Sequence, residues 1–220
     1  GAMNTQPLLP RYFDRWGPSI VVGDLNGDGT RDLVTGHGHS HRASFIAGLA
    51  DGNLGENVIE LIKTGDGDQT DIVAWKEADG RMRLAVSVSN YTKAVQSGLE
   101  AIKSQSSVLI YKEQDDQFQL VQSLPGQRAL PGCLELLDYD GDGDQDLFVG
   151  GRMNPGRYPE PAISRLYENE NGFFKLNLDQ SRAWFDLGLV TDAKSLDRDG
   201  DGDQDLLIAR EWNTLVFWDN

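Results

Sequence analysis

Three segments of this chain follow one pattern without gaps. They are Asp24-Leu25-Asn26-Gly27-Asp28-Gly29-Thr30-Arg31-Asp32, Asp138-Tyr139-Asp140-Gly141-Asp142-Gly143-Asp144-Gln145-Asp146 and Asp197-Arg198-Asp199-Gly200-Asp201-Gly202-Asp203-Gln204-Asp205. Each reads D-x-[DN]-x-D-G-x-x-D, and each is followed by Leu. The second and third begin 59 residues apart, and the first and second 114 apart, twice 57. A fourth copy is therefore expected near residue 80. Trp75–Leu84 lies in register there, keeping Asp79, Gly80 and Leu84. Trp75 and Arg83 stand where the first and last carboxylates belong, so this copy reads as one that has lost a metal, with Arg81 and Arg83 supplying positive charge instead. Four copies at a fixed period indicate a repeat fold.

The flanks decide which fold. Apolar, β-branched runs precede each segment (19–22, 72–75, 134–137, 189–193) and follow it (33–35, 84–88, 147–149, 206–209). Short runs bounded by Gly and Asp read as strands, which makes each Asp-rich segment the turn of a hairpin. Two further strand-like runs follow in the second repeat (108–111, 118–121) and the third (164–167, 173–176), and one in the fourth (214–218). The expected fold is all-β: a β-propeller of four-stranded antiparallel blades. The blades span about 16–63, 70–123, 132–178 and 188–220 within a single domain, 4–220. Residues 8–13 could supply the fourth blade's missing outer strand and close a four-bladed ring; the alternative is a piece of a larger propeller. Gly1-Ala2-Met3 reads as a scar from an expression tag.

Calcium takes six to eight oxygen ligands, and a loop of this kind can wrap one ion with side chains at positions 1, 3, 5 and 9 and a backbone carbonyl at position 7. The candidate ligands are Asp24, Asn26, Asp28, Thr30 and Asp32; Asp138, Asp140, Asp142, Asp144 and Asp146; and Asp197, Asp199, Asp201, Asp203 and Asp205, for about three ions. An EF-hand needs Glu at position 12, where Thr35, Val149 and Ile208 stand, and flanking helices, so it is rejected. No soft ligand accompanies the carboxylates, which disfavours zinc and copper. Asp/Gly-rich turns without metal are the alternative, but packing like charges into nine residues is costly without a cation.

These loops, their hairpin context and their spacing resemble FG-GAP/VCBS repeats, the repeats of integrin α-subunit propellers and of many bacterial secreted proteins. The stretch 164–174 is also similar to the third and fourth strands of bacterial VCBS-type repeats. The resemblance runs over essentially the whole chain, closest in the third and fourth repeats and least close in the second. It implies a calcium-bearing propeller that is secreted: extracellular, periplasmic or at the cell surface. The family includes adhesion modules, lectins and non-catalytic domains of polysaccharide-processing enzymes, so it leaves the function open.

In a propeller the turns between first and second strands lie on one face, and the loops between second and third strands on the other. Those loops are expected at 36–42, 89–105, 150–163 and 210–213. The first holds His37, His39 and His41, every histidine in the chain; the third holds Arg152, Arg157 and Tyr158; the fourth holds Trp212. These are the candidate ligand contacts. A second metal at the histidines, a carboxylate clamp at Arg157 and simple packing of Trp212 are open alternatives, and residues 93–103 suit a short helix.

A net charge of −15 argues against nucleic acid as a partner. No segment approaches the roughly 20 apolar residues of a membrane span. The lone cysteine, Cys133, sits in an apolar run and reads as a buried small residue. No nucleophile elbow or phosphate-binding loop is present, and no catalytic residue is assigned. The expected function is a calcium-stabilised extracellular binding or adhesion module for a glycan or protein. A polysaccharide lyase using the histidines with Tyr91 or Tyr158, an accessory carbohydrate-binding domain, and a scaffold assembling through open blade edges are the alternatives.

Overall fold

Strand-forming runs of Val, Ile, Leu and Phe pair with their sequence neighbours throughout the chain. The computed structural model describes residues 19–36, 43–61, 67–114 and 117–220. Residues 8–13 lie outside these, and so do His37, His39 and His41. Among the described residues there are three four-stranded sheets and one of three strands, each a meander in which every strand pairs antiparallel with the next. The first sheet holds β1 (Ile20–Gly23), β2 (Asp32–Thr35), β3 (Ser44–Gly48) and β4 (Leu54–Glu60). The second holds β5 (Asp68–Lys76), β6 (Met82–Ser89), β7 (Ser106–Gln114) and β8 (Gln117–Pro125). The third holds β9 (Leu130–Leu137), β10 (Asp146–Met153), β11 (Arg165–Glu170) and β12 (Phe173–Asn177). The fourth holds β13 (Leu189–Leu196), β14 (Asp205–Glu211) and β15 (Val216–Trp218). Among the described residues the expected strands are present, most of them longer than their apolar cores, because pairing continues into flanking polar residues such as Asp68–Asp71.

The described residues divide into two compact units, with the division between Gly126 and Gln127. In the first unit, Val34, Phe45 and Leu61 share a core with Ile72, Leu84 and Phe118. The rings of Phe45 and Phe118 lie 5.6 Å apart. In the second unit, Leu137, Phe148 and Leu166 pack with Trp184, Val190 and Ile208. β6 and β10 are buried along their whole length. Second strands with both faces covered suit near-continuous apolar runs. Gly150 in β10 permits this packing, since a Cβ there would come within 2.6 Å of Cys133 Sγ and 2.9 Å of Val190 Cγ1. Cys133 is buried. Glu135, also buried, ties β9 to β13 by accepting from Lys194 Nζ (2.7 Å) and the Ser195 N–H (2.9 Å).

Two short helices punctuate the strands. α1 (Tyr91–Ser97) and a 3₁₀ turn, Leu99–Ile102, fill the loop between β6 and β7, where the sequence suggested a helix at 93–103. α2 (Leu178–Ala183) follows β12 and is capped by Asn177, whose side chain accepts from the Gln180 N–H. α2 brings in Trp184, fully buried and edge-on to both Phe148 and Trp218. The sequence reading has no helix there, since six residues are too few to show a 3.6-residue period.

Candidate metal centres

The three Asp-rich segments join β1 to β2, β9 to β10 and β13 to β14, as first-to-second-strand turns. Each is wound by a ladder of short side-chain bonds. The position-1 carboxylate accepts N–H groups within the loop: Asp24 from Gly27 (2.8 Å) and Gly29 (3.1 Å), Asp138 from Gly143 (3.1 Å), and Asp197 from Gly200 (2.7 Å). Position 3 accepts from the position-5 N–H at Asn26, Asp140 and Asp199. Position 5 accepts from the position-7 N–H at Asp28, Asp142 and Asp201. Such bonds two residues along the chain are what Asp and Asn favour in turns. The winding needs left-handed backbone at positions 4 and 6, where φ is +80° and +85° (Gly27, Gly29), +75° and +90° (Gly141, Gly143), and +83° and +100° (Gly200, Gly202). The glycine at position 4 was not singled out from the sequence, although all three copies carry it.

Position 9 is different. Asp32, Asp146 and Asp205 are buried, and each spans its own blade. One oxygen accepts the position-2 N–H: Leu25 at 2.8 Å, Tyr139 at 2.8 Å and Arg198 at 2.9 Å. The other accepts an N–H from the far end of the third strand or just past it: Gly48 at 2.8 Å, Asn169 at 2.8 Å and Asn220, two residues beyond β15, at 2.9 Å. Sequence pattern alone reads this Asp as one more ligand. It is also a clamp from the loop to the blade.

The loops concentrate charge. Carboxylate oxygens of Asp138, Asp140 and Asp146 lie within 4.8 Å of one another, as do those of Asp197, Asp199 and Asp205. Asp138 Oδ1, Asp144 Oδ1 and Asp203 Oδ1 are buried without a hydrogen-bond partner among the described residues. A buried oxygen left unbonded is costly, and here it faces like charge. Burial, then the charges of Asp142, Asp146, Asp140 and Asp138, push the Asp144 carboxyl up to about 6. Burial pushes Asp146 up to about 6 against the N–H bonds that hold it down. Burial, helped by Asp201, raises Asp203. Asp205 moves the other way, held low by the N–H groups of Arg198 and Asn220. The second and third loops thus fit a hard divalent cation, which would satisfy the orphaned oxygens and neutralise the cluster together.

The first loop partly satisfies itself. Asn26 Nδ2 and Thr30 Oγ1 both donate to Asp28, and Thr30 bonding lowers the Asp28 carboxyl. It therefore has less charge to compensate than the other two.

The corresponding turn of the second sheet carries basic side chains instead of a carboxylate cluster. Its turn shortens to Glu77–Arg81, and Trp75 and Arg83 pair directly in the β-ladder. Arg83 is buried against Glu77. Lys112 reaches across from β7, where it is Arg83's cross-strand partner, to Glu77 (2.6 Å) and Asp79 (2.9 Å). Glu77 and then Asp79 raise the Lys112 ammonium, and Lys112 in turn holds Asp79 low. The sequence points to Arg83 here. Lys112 was missed, and only the strand register could reveal it. Glu77→Ala would leave Arg83 buried beside one remaining ammonium. The expected loss is about 2 kcal/mol, below the roughly 3–5 kcal/mol of a fully buried pair because Lys112 is partly exposed. The loss should be equal in calcium and in EDTA by thermal denaturation.

At the other end of β10 and β14, the candidate ligand residues fall into two groups. Arg157 is half-exposed and pairs with Glu160 at 3.2 Å. Arg152 is buried and pairs with Glu211 Oε2 at 2.6 Å. Tyr158 donates to Glu211 Oε1 at 3.1 Å, and Trp212 Nε1 donates to the Tyr158 hydroxyl. Arg152, Tyr158 and Trp212 are therefore brought together, joined by Glu211, which the sequence did not mark because it ends a strand and belongs to no motif.

Residues 16–41 match the model of the FG-GAP repeat, which is the first copy rather than the third or fourth, where the resemblance looked closest. No curated protein matches the chain. Among solved structures, the chain is similar in fold to BBS1N, from a crystal structure of its complex with ARL6DN soaked with lead. That match has a TM-score of 0.50 and 13% identity, and covers 91% of this chain and 50% of the other. An alpha-L-arabinofuranosidase from Clostridium thermocellum matches with a TM-score of 0.46 and 11% identity, over 88% of this chain and 59% of the other. The chain spans about half the length of the first of these structures. Its residues 16–41 are thus similar to an FG-GAP repeat, and its described strands form antiparallel meander sheets of the β-propeller class.

Proposed function

We propose that this chain is a calcium-stabilised recognition module that works outside the cytoplasm, with ions in the loops Asp24–Asp32, Asp138–Asp146 and Asp197–Asp205. Recognition of a glycan or protein falls to the loops at the opposite ends of the strands. The observation that carries the metal part is the set of buried, unbonded oxygens of Asp138, Asp144 and Asp203 inside clusters of like charge. Extracellular modules bind calcium at about 10⁻⁴–10⁻³ M, so millimolar calcium would fill such loops. The FG-GAP match and the absence of soft ligands support calcium over zinc or copper. Among the described residues no helix is long and apolar enough to cross a membrane.

Equilibrium dialysis against calcium is the direct test. About three ions per chain are expected, the weakest at the first loop, where Asn26 and Thr30 already satisfy Asp28. Asp140→Asn with Asp199→Asn should weaken two of the three and leave the third. Binding of fewer than one ion per chain at 5 mM calcium, a concentration chosen to lie about fivefold or more above those dissociation constants, would overturn the reading.

A further inference from the structure

We propose that the cavity formed by the second-to-third-strand loops of the third and fourth sheets binds one uncharged hexose ring of a glycan, stacked on Trp212. This rests on the recognition role proposed above and names its ligand. The cavity measures about 280 Å³ and is lined by Tyr158, Pro159, Leu189, Glu211, Trp212 and Asn213, among others. Small-molecule pockets run from about 300 to 1,000 Å³, so this one takes a single ring rather than a long chain.

Trp212 is 79% exposed, and its backbone is left-handed, at φ +66°. A bulky side chain rarely adopts that conformation, and strain of this kind persists where the surroundings enforce it. Here they do. Buried Arg152 fixes Glu211, Glu211 fixes the Tyr158 hydroxyl, and that hydroxyl accepts the indole N–H. A four-residue relay thus holds an indole face toward solvent in place of the packing a tryptophan usually finds.

The same relay sets the ligand's chemistry. The indole N–H and the Tyr158 hydroxyl proton are already committed, so the aromatic residues offer a ligand their ring faces. The buried Arg152 pairs with Glu211, the one acidic side chain that lines the cavity, in a chain of net charge −15. Arg210 lies beside the cavity, but its guanidinium already donates to the Leu187 and Thr214 carbonyls, and no Lys or Arg is among the lining residues, so an anionic sugar would find no free cation there. A pyranose has an apolar C–H face for the indole and hydroxyls at its rim for the Asn213 amide. A proline-rich peptide would need consecutive aromatic slots along an extended helix, whereas Tyr158 and Trp212 bound one cavity.

The test is an array of neutral and uronic-acid oligosaccharides, with proline-rich peptides alongside, probed in calcium with the full chain, Trp212→Ala and Tyr158→Phe. Expected is binding to neutral hexose-bearing glycans that falls at least tenfold in Trp212→Ala and several-fold in Tyr158→Phe, with the melting temperature of Trp212→Ala unchanged. Neutral-glycan binding that survives Trp212→Ala within twofold would overturn the subsite and leave the recognition role standing. Binding only to uronic acids or to the peptides would overturn the neutral-sugar assignment. Binding to no probe would overturn the subsite and the glycan form of the recognition role, while calcium stoichiometry judges the metal part separately.

Discussion

Stripping calcium with EDTA is expected to lower the melting temperature by more than about 10 °C, and added calcium to restore it. A site held at a hundredfold excess over its dissociation constant stabilises the folded state by about 2.7 kcal/mol. The second and third loops both lie in the unit Gln127–Asn220. Together they would contribute about 5 kcal/mol to it, and each kcal/mol moves the midpoint of a domain of about 100 residues by about 4–8 °C. The effect should follow calcium concentration and be far smaller with magnesium, which demands a tighter octahedral shell and gives up its water reluctantly. Scanning calorimetry in EDTA, in 10 mM calcium and in 10 mM magnesium checks this, the concentrations chosen to exceed expected dissociation constants by about tenfold or more. Superimposable curves would remove the ions from the fold's energetics.

Asp146→Ala and Asp140→Ala should separate two roles that one motif combines. Asp140 is exposed and bonds only within its loop, so its loss should cost stability in calcium and little in EDTA. Asp146 is buried and holds the N–H groups of Tyr139 and Asn169. Removing it leaves two donors unpaired, the Asn169 N–H buried and the Tyr139 N–H partly so, at about 1–3 kcal/mol each. A loss of roughly 2–6 kcal/mol should therefore remain in EDTA, with the calcium-dependent loss added to it. Equal behaviour of the two variants in EDTA would show that the clamp contributes nothing of its own.

Much of the blade pattern could be read directly. Alternating apolar runs around a repeated turn identify strands and order them, and β9 to β12 fall where that reading put them. The three loops were legible because several Asp at fixed spacing have few other uses. What escaped was three-dimensional adjacency. Lys112 neutralises Glu77 and Asp79 from another strand, and Gln204 of the third loop accepts the Asp138 N–H of the second at 2.8 Å. Neither has a local signature. The same holds for Glu211, whose two oxygens join Arg152 to Tyr158. The position-9 Asp was recognised, but its second bond, to Gly48, Asn169 or Asn220, spans the blade and cannot be inferred from a nine-residue motif.

The Arg83–Glu77–Lys112 cluster sets the second sheet apart in a further way. A diffusible ion leaves when its surroundings are depleted, and the fraction of loops holding one follows the supply. A cation carried on a side chain has no dissociation constant of that kind, because its local concentration is fixed by the covalent chain. The second sheet is thus insulated from swings in ionic environment to which the other three would respond. If the Asp-rich turns take calcium as proposed, the second sheet is the blade whose turn is neutralised before any ion arrives.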